Sequence, residues 1–288
     1  MSRPRAEVIG DPIAQSKSPA IHGYWLERAG IAADYGRAHV RAEGLAAYLD
    51  QARADPDWRG CNVTMPHKQA IIALLDRLDA LAARIGAVNT VLRAADGRLS
   101  GHNTDAPGFL EPLAGALARA QRPRTALVLG TGGAARAIVA ALDGAGVSIV
   151  LAGRDPAKAR ALLDQVAPGA AHRAMTLARL AAPARPGGED QAGAADLVVN
   201  ASPLGMAGQP ALLLDPGQLA PGAIVYDIVP HPLETPLLTL ARQRGCAVID
   251  GLAMLIGQAA AAFALFYGAA PLREAGDARL RALLGARA

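Results

Sequence analysis

Arg124-Thr-Ala-Leu-Val-Leu-Gly-Thr-Gly-Gly-Ala-Ala-Arg136 is the stretch around which the chain is organised. A short apolar run ends in glycines and a helical pattern follows, which predicts strand, tight turn and helix. Gly130 permits a sharp turn, Gly132 removes a side chain where a backbone must approach a phosphate, and Ala135 lets the helix lie close to the sheet. The helix predicted from about Gly133 to Ala145 turns its free N–H groups and positive dipole end toward an anion. The guest such a loop expects is a pyrophosphate. A chain with 31 glycines can also place such a motif at a βα turn that binds nothing. The βαβ unit that follows immediately favours the binding reading.

Val147-Ser-Ile-Val-Leu-Ala152 has the composition of a buried strand, and it runs into Gly153-Arg154-Asp155. In a dinucleotide domain this strand tip reads the ribose: a carboxylate accepts from a 2′-hydroxyl, whereas an arginine accommodates a 2′-phosphate. Arg154 comes first here and Lys158 lies one helical turn on, which points to NADP. Asp155 keeps NAD as the minority reading, and a solvated Arg and Lys in a loop is the structural alternative.

The composition narrows the class. With 288 residues the chain can bury two substantial cores, and an apolar fraction of 52% excludes a disordered chain. No run reaches the ~18 apolar residues of a membrane span, and Met1-Ser-Arg-Pro-Arg-Ala-Glu7 has no hydrophobic signal core. A cytoplasmic location is expected. A net charge of +4 is spread along a chain with 3% aromatics, which argues against a nucleic-acid groove. Cys61 and Cys246 have no metal-ligand spacing and read as small hydrophobes, so neither a metal nor a disulfide is expected.

Before the glycine loop, Glu7–Gly10 reads as a strand and Asp11–Pro19 as the loop behind it. Ser18 before Pro19 is predicted to cap a helix running to about Ala29. Ser16 has no capping role and lies where ligands are met. Asp34–Val40 reads as a strand and Gly44–Ala54 as a helix. Gly60-Cys-Asn-Val-Thr-Met-Pro-His-Lys68 reads as a strand entering a helix that continues to about Asp79. Thr64 is thereby set at a strand end and Lys68 in a first helical turn, where the dipole disfavours a cation and a functional reason suggests itself. Ala87–Leu92 and Arg98–Asn103 form a predicted hairpin around Asp96-Gly97. Asn89 is an amide in an apolar strand, either a structural knot or a ligand contact. Asp105 opens a linking helix toward Ala120 and, next to Lys68, would face a hydroxyl or ketone.

After the loop, Asp155–Val166 is predicted helical and Arg179–Ala195 a surface connection without a site. Asp196–Asn200, Ala223–Ile228 and Ala247–Asp250 read as strands, with a helix over Pro232–Gly245. Gly251–Phe263 is an apolar helix carrying one amide, Gln258, which is expected to point toward a site while the helix packs back on the first half.

Ser16-Lys-Ser18-Pro, Asn62-Val-Thr64-Met-Pro-His-Lys68, Gly86-Ala-Val-Asn89-Thr, Asn103-Thr-Asp105, Gly130-Thr-Gly-Gly-Ala134, Asn200-Ala-Ser-Pro-Leu-Gly-Met and Asp250-Gly-Leu-Ala-Met-Leu-Ile-Gly-Gln258 together resemble shikimate dehydrogenase. The matches run in order from residue 8 to beyond residue 260. The resemblance implies an α/β protein with a substrate-binding domain over residues 1–105, a Rossmann-like NADP domain over 106–250, and C-terminal helices over 251–288 returning to the first domain. It implies an oxidoreductase that reversibly reduces 3-dehydroshikimate to shikimate with NADPH, on the route to chorismate and the aromatic amino acids. Carried over by position, Ser16, Ser18, Thr64, Asn89 and Gln258 contact substrate, and Lys68 and Asp105 form the catalytic pair that also touches it. Gly130, Thr131, Gly132, Gly133, Ala134, Arg154, Lys158, Ile228 and Gly251 form the cofactor set. The partner is a small molecule, with no nucleic acid or membrane, and the chain is a monomer or homodimer.

Two departures stand out. A tyrosine that the family often carries four residues after the one at Tyr226 is Pro230 here, next to His231, and the Asn-Arg-Thr cofactor signature is Gly153-Arg154-Asp155. The runner-up enzyme is accordingly a superfamily member taking quinate or NAD. The reading from another class is a shikimate-like metabolite sensor without turnover, against which the intact Lys68 and Asp105 argue.

Overall fold

The computed structural model describes residues 3–119, 124–169, 172–182 and 194–285. It divides into two compact units, Met1–Gly108 with Ile256–Ala288, and Phe109–Leu255.

The first unit begins β1 (Arg5–Gly10), α1 (Ser18–Ala29), β2 (Asp34–His39), α2 (Leu45–Ala54) and β3 (Trp58–Val63). It continues with β4 (Arg77–Leu78), α3 (Ala80–Ile85), β5 (Thr90–Arg93), β6 (Leu99–His102) and α4 (Asp105–Leu110), the last crossing into the second unit. The sheet order is β2-β1-β3-β5-β6-β4. β1 pairs in parallel with β2 and β3, and β5 runs antiparallel to both β3 and β6. The predicted hairpin is present, and Asn89 stands just ahead of β5 with its N–H bonded to the His102 carbonyl. Ile9, Leu49, Trp58, Cys61, Val63, Ile71, Val91 and Leu99 form the core.

The helix expected from Pro66 to Asp79 is not formed. Residues 65–69 are turns, Ala70–Leu74 is a 3-10 segment, and a helix starts only at Ala80, where Asp79 caps it by accepting from the Ala82 N–H. The apolar residues Ile71 and Ile72 do pack on the core, so their spacing marks burial without marking an α-helix. Ser18 is likewise not a cap. It is the first residue of α1 and makes no capping bond; Ser16 Oγ accepts from the Ser18 N–H instead, at 3.3 Å.

The second unit holds α5 (Ala114–Leu117), β7 (Thr125–Leu129), α6 (Gly133–Gly144), β8 (Ser148–Gly153), α7 (Pro156–Val166) and β9 (Arg173–Thr176). It closes with β10 (Ala195–Asn200), β11 (Leu219–Asp227), α8 (Pro236–Gln243) and β12 (Ala247–Ile249). All pairings are parallel, in the order β12-β11-β10-β7-β8-β9. A parallel sheet covered on both faces demands continuous apolar strands, and Ala126–Leu129 and Ile149–Ala152 are buried throughout. β9 is an edge strand absent from the expectations above, and most of the expected 179–195 connection lies outside the described residues. The linking helix toward Ala120 is interrupted by a 3-10 turn at Glu111–Leu113, where Pro112 removes a donor.

α9 (Gly251–Tyr267) begins in the second unit and ends in the first, and α10 (Ala278–Gly285) belongs to the first. Within the first unit Tyr24 donates to Glu274 and Lys17 Nζ donates to the Leu284 carbonyl, so the returning helices expected from sequence are present. No helix among the described residues is long and apolar enough to cross a membrane.

His22 on α1 stacks on Tyr35 with centroids 3.9 Å apart, among Trp25, Phe263 and Phe266. Neither ring nitrogen has a hydrogen-bond partner among the described residues. Burial pushes this imidazole down from 6.5 to about 3. Between those values the unfolded chain binds a proton that the folded chain excludes, so stability is full above about 6.5 and is lost as pH falls toward 3. Urea unfolding across that window should show a loss of up to about 1.4 kcal/mol per pH unit from this group. His22→Phe should remove that part of the slope; an unchanged slope would assign it elsewhere.

Candidate active site

The first cluster grows from the carboxyl ends of adjacent parallel strands. Thr64 follows β3 directly, and its N–H donates to the Ile9 carbonyl of β1. Gly10, ending β1, leaves room for this approach: a Cβ there would stand 2.5 Å from Thr64 Cγ2. The turn that follows is pinned by His67, which is buried with Nε2 2.6 Å from the Val40 carbonyl oxygen. The Lys68 carbonyl accepts from the Val88 N–H at 2.7 Å. Lys68 is thus set by a pinned turn rather than by a helix, and no unfavourable helix dipole acts on it.

Lys68 Nζ lies 2.5 Å from Asp105 Oδ2, and both side chains are largely withdrawn from solvent, at 17% and 7% exposure. The other carboxylate oxygen, Oδ1, accepts from Asn89 Nδ2 at 2.9 Å. The same Nδ2 donates to Thr104 Oγ1, while Asn89 Oδ1 accepts from the Thr104 N–H at 2.7 Å and the Thr90 hydroxyl at 3.0 Å. A buried amide with both ends engaged is a rigid support. Asn89 therefore forms a structural knot that directly supports the Lys68–Asp105 pair.

Further polar residues feed this point. Asn62 of β3 is paired in register with Thr90 of β5 and donates to its hydroxyl at 3.0 Å, and Tyr35 donates to Asn62 Oδ1 at 2.6 Å. Asn103 Oδ1 accepts from the Asp105 and Ala106 N–H groups, so the cap of α4 is the asparagine two residues earlier. Sequence reading gives no separate role to His67, Tyr35 or Asn103; the Asn-Thr-Asp spacing ahead of an apolar helix is the available signal for the last. Ser16, half-buried, sits in the loop after β1, and Ser18 is buried at the start of α1. Gln258 packs against Gly108: a Cβ there would come within 2.3 Å of the Gln258 backbone nitrogen, so the glycine lets α9 approach α4 three residues after Asp105. Ser100, His102 and Asp79 are also joined, at 3.1 and 2.8 Å, but Ser100 is buried and Asp79 is occupied in capping α3.

The second cluster lies where the strand order of the second unit reverses, between β7 and β10, the position at which doubly wound sheets bind ligands. Gly130 has φ of +114°, and a Cβ on it would stand 2.7 Å from the Ala201 carbonyl oxygen, so both conformation and space require glycine. Gly132 is the N-cap of α6 with nothing within 4 Å of an added Cβ, leaving open backbone at the helix N-terminus. Thr131, Gly133 and Ala134 are half-buried around it. This cradle fits a dinucleotide pyrophosphate. Arg154 and Lys158 are exposed after β8. Asp155 caps α7, its Oδ1 accepting from the Ala157 N–H at 2.9 Å and the Lys158 N–H at 3.4 Å, which engages the carboxylate that had kept NAD in view. Ile228 is half-buried after β11, and Gly251 is buried, with a Cβ there meeting the Val229 carbonyl oxygen at 2.2 Å.

A glycine cradle at the switch point of a parallel sheet, on the same chain as a lysine held against a supported carboxylate, defines a dinucleotide-dependent dehydrogenase. Known proteins agree. The family described as shikimate dehydrogenase substrate binding domain matches residues 8–91. Shikimate dehydrogenase (NADP(+)) of Sphingopyxis alaskensis is 52% identical over 98% of this chain and 97% of its own length. The protein of the same name from Methylobacterium radiotolerans is 47% identical, with 94% of each covered. The solved structure of shikimate 5-dehydrogenase from Thermus thermophilus, in complex with NADP(H) and shikimate, superposes with a TM-score of 0.82 at 37% identity, covering 98% of both chains. The chain belongs to the shikimate dehydrogenase family.

Asn89→Ala would remove the amide that both Asp105 Oδ1 and the Thr104 N–H use. Denaturant unfolding should register about 1–3 kcal/mol for each buried group so orphaned; a change within experimental error would show that the knot does not stabilise this unit.

Proposed function

We propose that this protein catalyses the reversible reduction of 3-dehydroshikimate to shikimate with NADPH, with Lys68 and Asp105 as the catalytic pair. The observation that carries the assignment is the Lys68–Asp105 contact, largely withdrawn from solvent, in a chain 52% identical to a protein named for this activity. Bound at the glycine loop, NADPH would supply the hydride that reduces the ketone. The Lys68 ammonium has three N–H donors and commits one to Asp105 Oδ2, so others remain to meet the ketone oxygen and stabilise or protonate the alkoxide. Asp105 orients Lys68, and with its second oxygen fixed by Asn89 it cannot swing away. The small hydroxyls of Ser16, Ser18 and Thr64 and the amides of Asn89 and Gln258 suit a substrate with one carboxylate and several ring hydroxyls, which directional bonds can orient.

On the cofactor side, Gly130, Thr131, Gly132, Gly133 and Ala134 receive the pyrophosphate, and Ile228 and Gly251 border the same face. Arg154, with Lys158 one turn later, takes the 2′-phosphate through its guanidinium. Asp155 does not compete for the ribose while it caps α7.

Initial rates with shikimate and quinate, each against NADP and NAD, test the whole reading: a dominant shikimate–NADP rate supports it, and silence in all four pairings overturns it. Lys68→Ala should lower kcat by about 10²–10⁴-fold with circular dichroism unchanged; near-normal turnover would remove Lys68 from the mechanism. Arg154→Ala should weaken NADP far more than NAD. Equal losses would show that Arg154 does not read the 2′-phosphate.

A further inference from the structure

Three loops of the second unit are tied to one buried carboxylate that the chemistry above does not use. Asp227 ends β11 with no exposed surface. Its Oδ1 accepts from Asn200 Nδ2 at 3.0 Å and from the Val229 N–H at 3.1 Å, and its Oδ2 accepts from the Thr235 hydroxyl at 2.7 Å. Asn200, ending β10, uses the same amide to shape the loop that follows. Nδ2 also donates to the Leu204 carbonyl at 2.9 Å, and Oδ1 accepts from the Ser202 N–H and hydroxyl at 3.1 and 2.7 Å. Between them, the Ala201 carbonyl is the group against which Gly130 is packed, and the Ala201 N–H donates to Leu129 at the end of β7. The Ile228 N–H donates to the Asn200 carbonyl. One carboxylate thereby sets the relative positions of the loops after β7, β10 and β11, and Thr235 fixes the start of α8 to it, also accepting from the Leu238 N–H.

Among the described residues, the three donors to Asp227 are all neutral. Burial pushes its carboxyl up from the usual range, and a charge held this way is costly compared with an apolar residue of similar size. Packing alone does not call for it. What an apolar residue cannot do is hold three loops through directional bonds. Their place in the sheet indicates what they serve. Arg154 lies beyond β8, on one side of Gly130, and would take the phosphate of the adenosine half; the loops after β10 and β11 lie on the other side. An extended dinucleotide with its pyrophosphate at Gly130 would present its nicotinamide half to them.

We propose that Asp227 is a positioning residue for NADP(H): without touching the cofactor, it holds the Gly130, Ala201–Leu204 and Ile228–Val229 segments in the one arrangement that accepts the nicotinamide half. This rests on the NADP reading above.

The test compares Asp227→Ala, Asp227→Asn, Thr235→Val and Thr235→Ser with the unaltered protein, measuring NADPH and shikimate affinities separately by calorimetry and both KM values with kcat. Asp227→Ala should raise the NADPH Kd by about tenfold or more and lower kcat, with shikimate affinity held within about twofold. Asp227→Asn should recover most of the loss, because its oxygen can serve Asn200 and Val229 while the Thr235 hydroxyl rotates to accept from its NH₂. Thr235→Val should show a smaller loss of the same kind, restored by Thr235→Ser, which keeps the readout available if Asp227→Ala does not fold. A purely structural role would lower Tm and leave the NADPH constants of the folded variants unchanged, and that result overturns the proposal. So does an equal loss of NADPH and shikimate affinity. If the unaltered protein binds shikimate but no NADPH, the cofactor reading and this proposal fall together; if it binds both and only the variants fail to separate the two ligands, this proposal falls alone.

Discussion

A buried amide cannot be left unsatisfied, and the first unit is built around one that is fully engaged. Asn89 uses both ends of its side chain, on Thr104 and Asp105 from the nitrogen and on Thr90 and Thr104 from the oxygen. Because those partners come from β5 and from the turn into α4, the amide can be satisfied only when the hairpin and the Asn103-Thr104-Asp105 turn are both in place. Lys68 arrives from a third segment, pinned by His67 and by the bond from Val88 to its own carbonyl. The short Lys68–Asp105 distance is thus the end result of backbone constraints on both partners.

The second unit uses the same logic with a different group. Its sheet is assembled by apolar strands such as β7 and β8, whose packing sets where the carboxyl ends emerge. The loops beyond those ends are then fixed by buried polar side chains, Asn200, Asp227 and Thr235. Apolar burial provides most of the driving force and is indifferent to a shift of a few tenths of an ångström; directional bonds in a dry environment are not. Each unit therefore separates the two tasks, with hydrophobic layers for stability and small satisfied polar clusters for placement.

Much of the site is legible as residue types at fixed spacings. The glycine loop, the Asn-Thr-Asp turn and the lysine after Pro66 all stand out, because short-range chemistry such as a glycine at positive φ is written in neighbouring residues. The departures have a common origin. Ile71 and Ile72 show apolar spacing that suits a helix, yet 3-10 turns and a two-residue strand satisfy the same burial. Ser18 before proline has every local mark of a cap, but the hydroxyl that accepts the Ser18 N–H belongs to Ser16. Asp155 has the position of a ribose-reading acid and is the cap of α7. In each case periodicity or residue type admits two geometries of similar local energy, and packing against distant elements chooses between them.

What the sequence determined by itself is the class of each half: a run of apolar strands and helices around a glycine loop, and an ordered series of polar motifs that belong to one enzyme family. Local propensity and pattern suffice for that, since they act over a few residues. What only the tertiary structure decided is which polar groups meet. Asn62 and Thr90 are adjacent because β3 and β5 pair in one register, and Tyr35 joins them from β2. Asp227, Asn200 and Thr235 converge because β10 and β11 are neighbours in a sheet whose order is not that of the chain. Such contacts depend on strand register and on the desolvation cost of every buried donor and acceptor at once, a balance struck over the whole fold that no stretch of sequence contains.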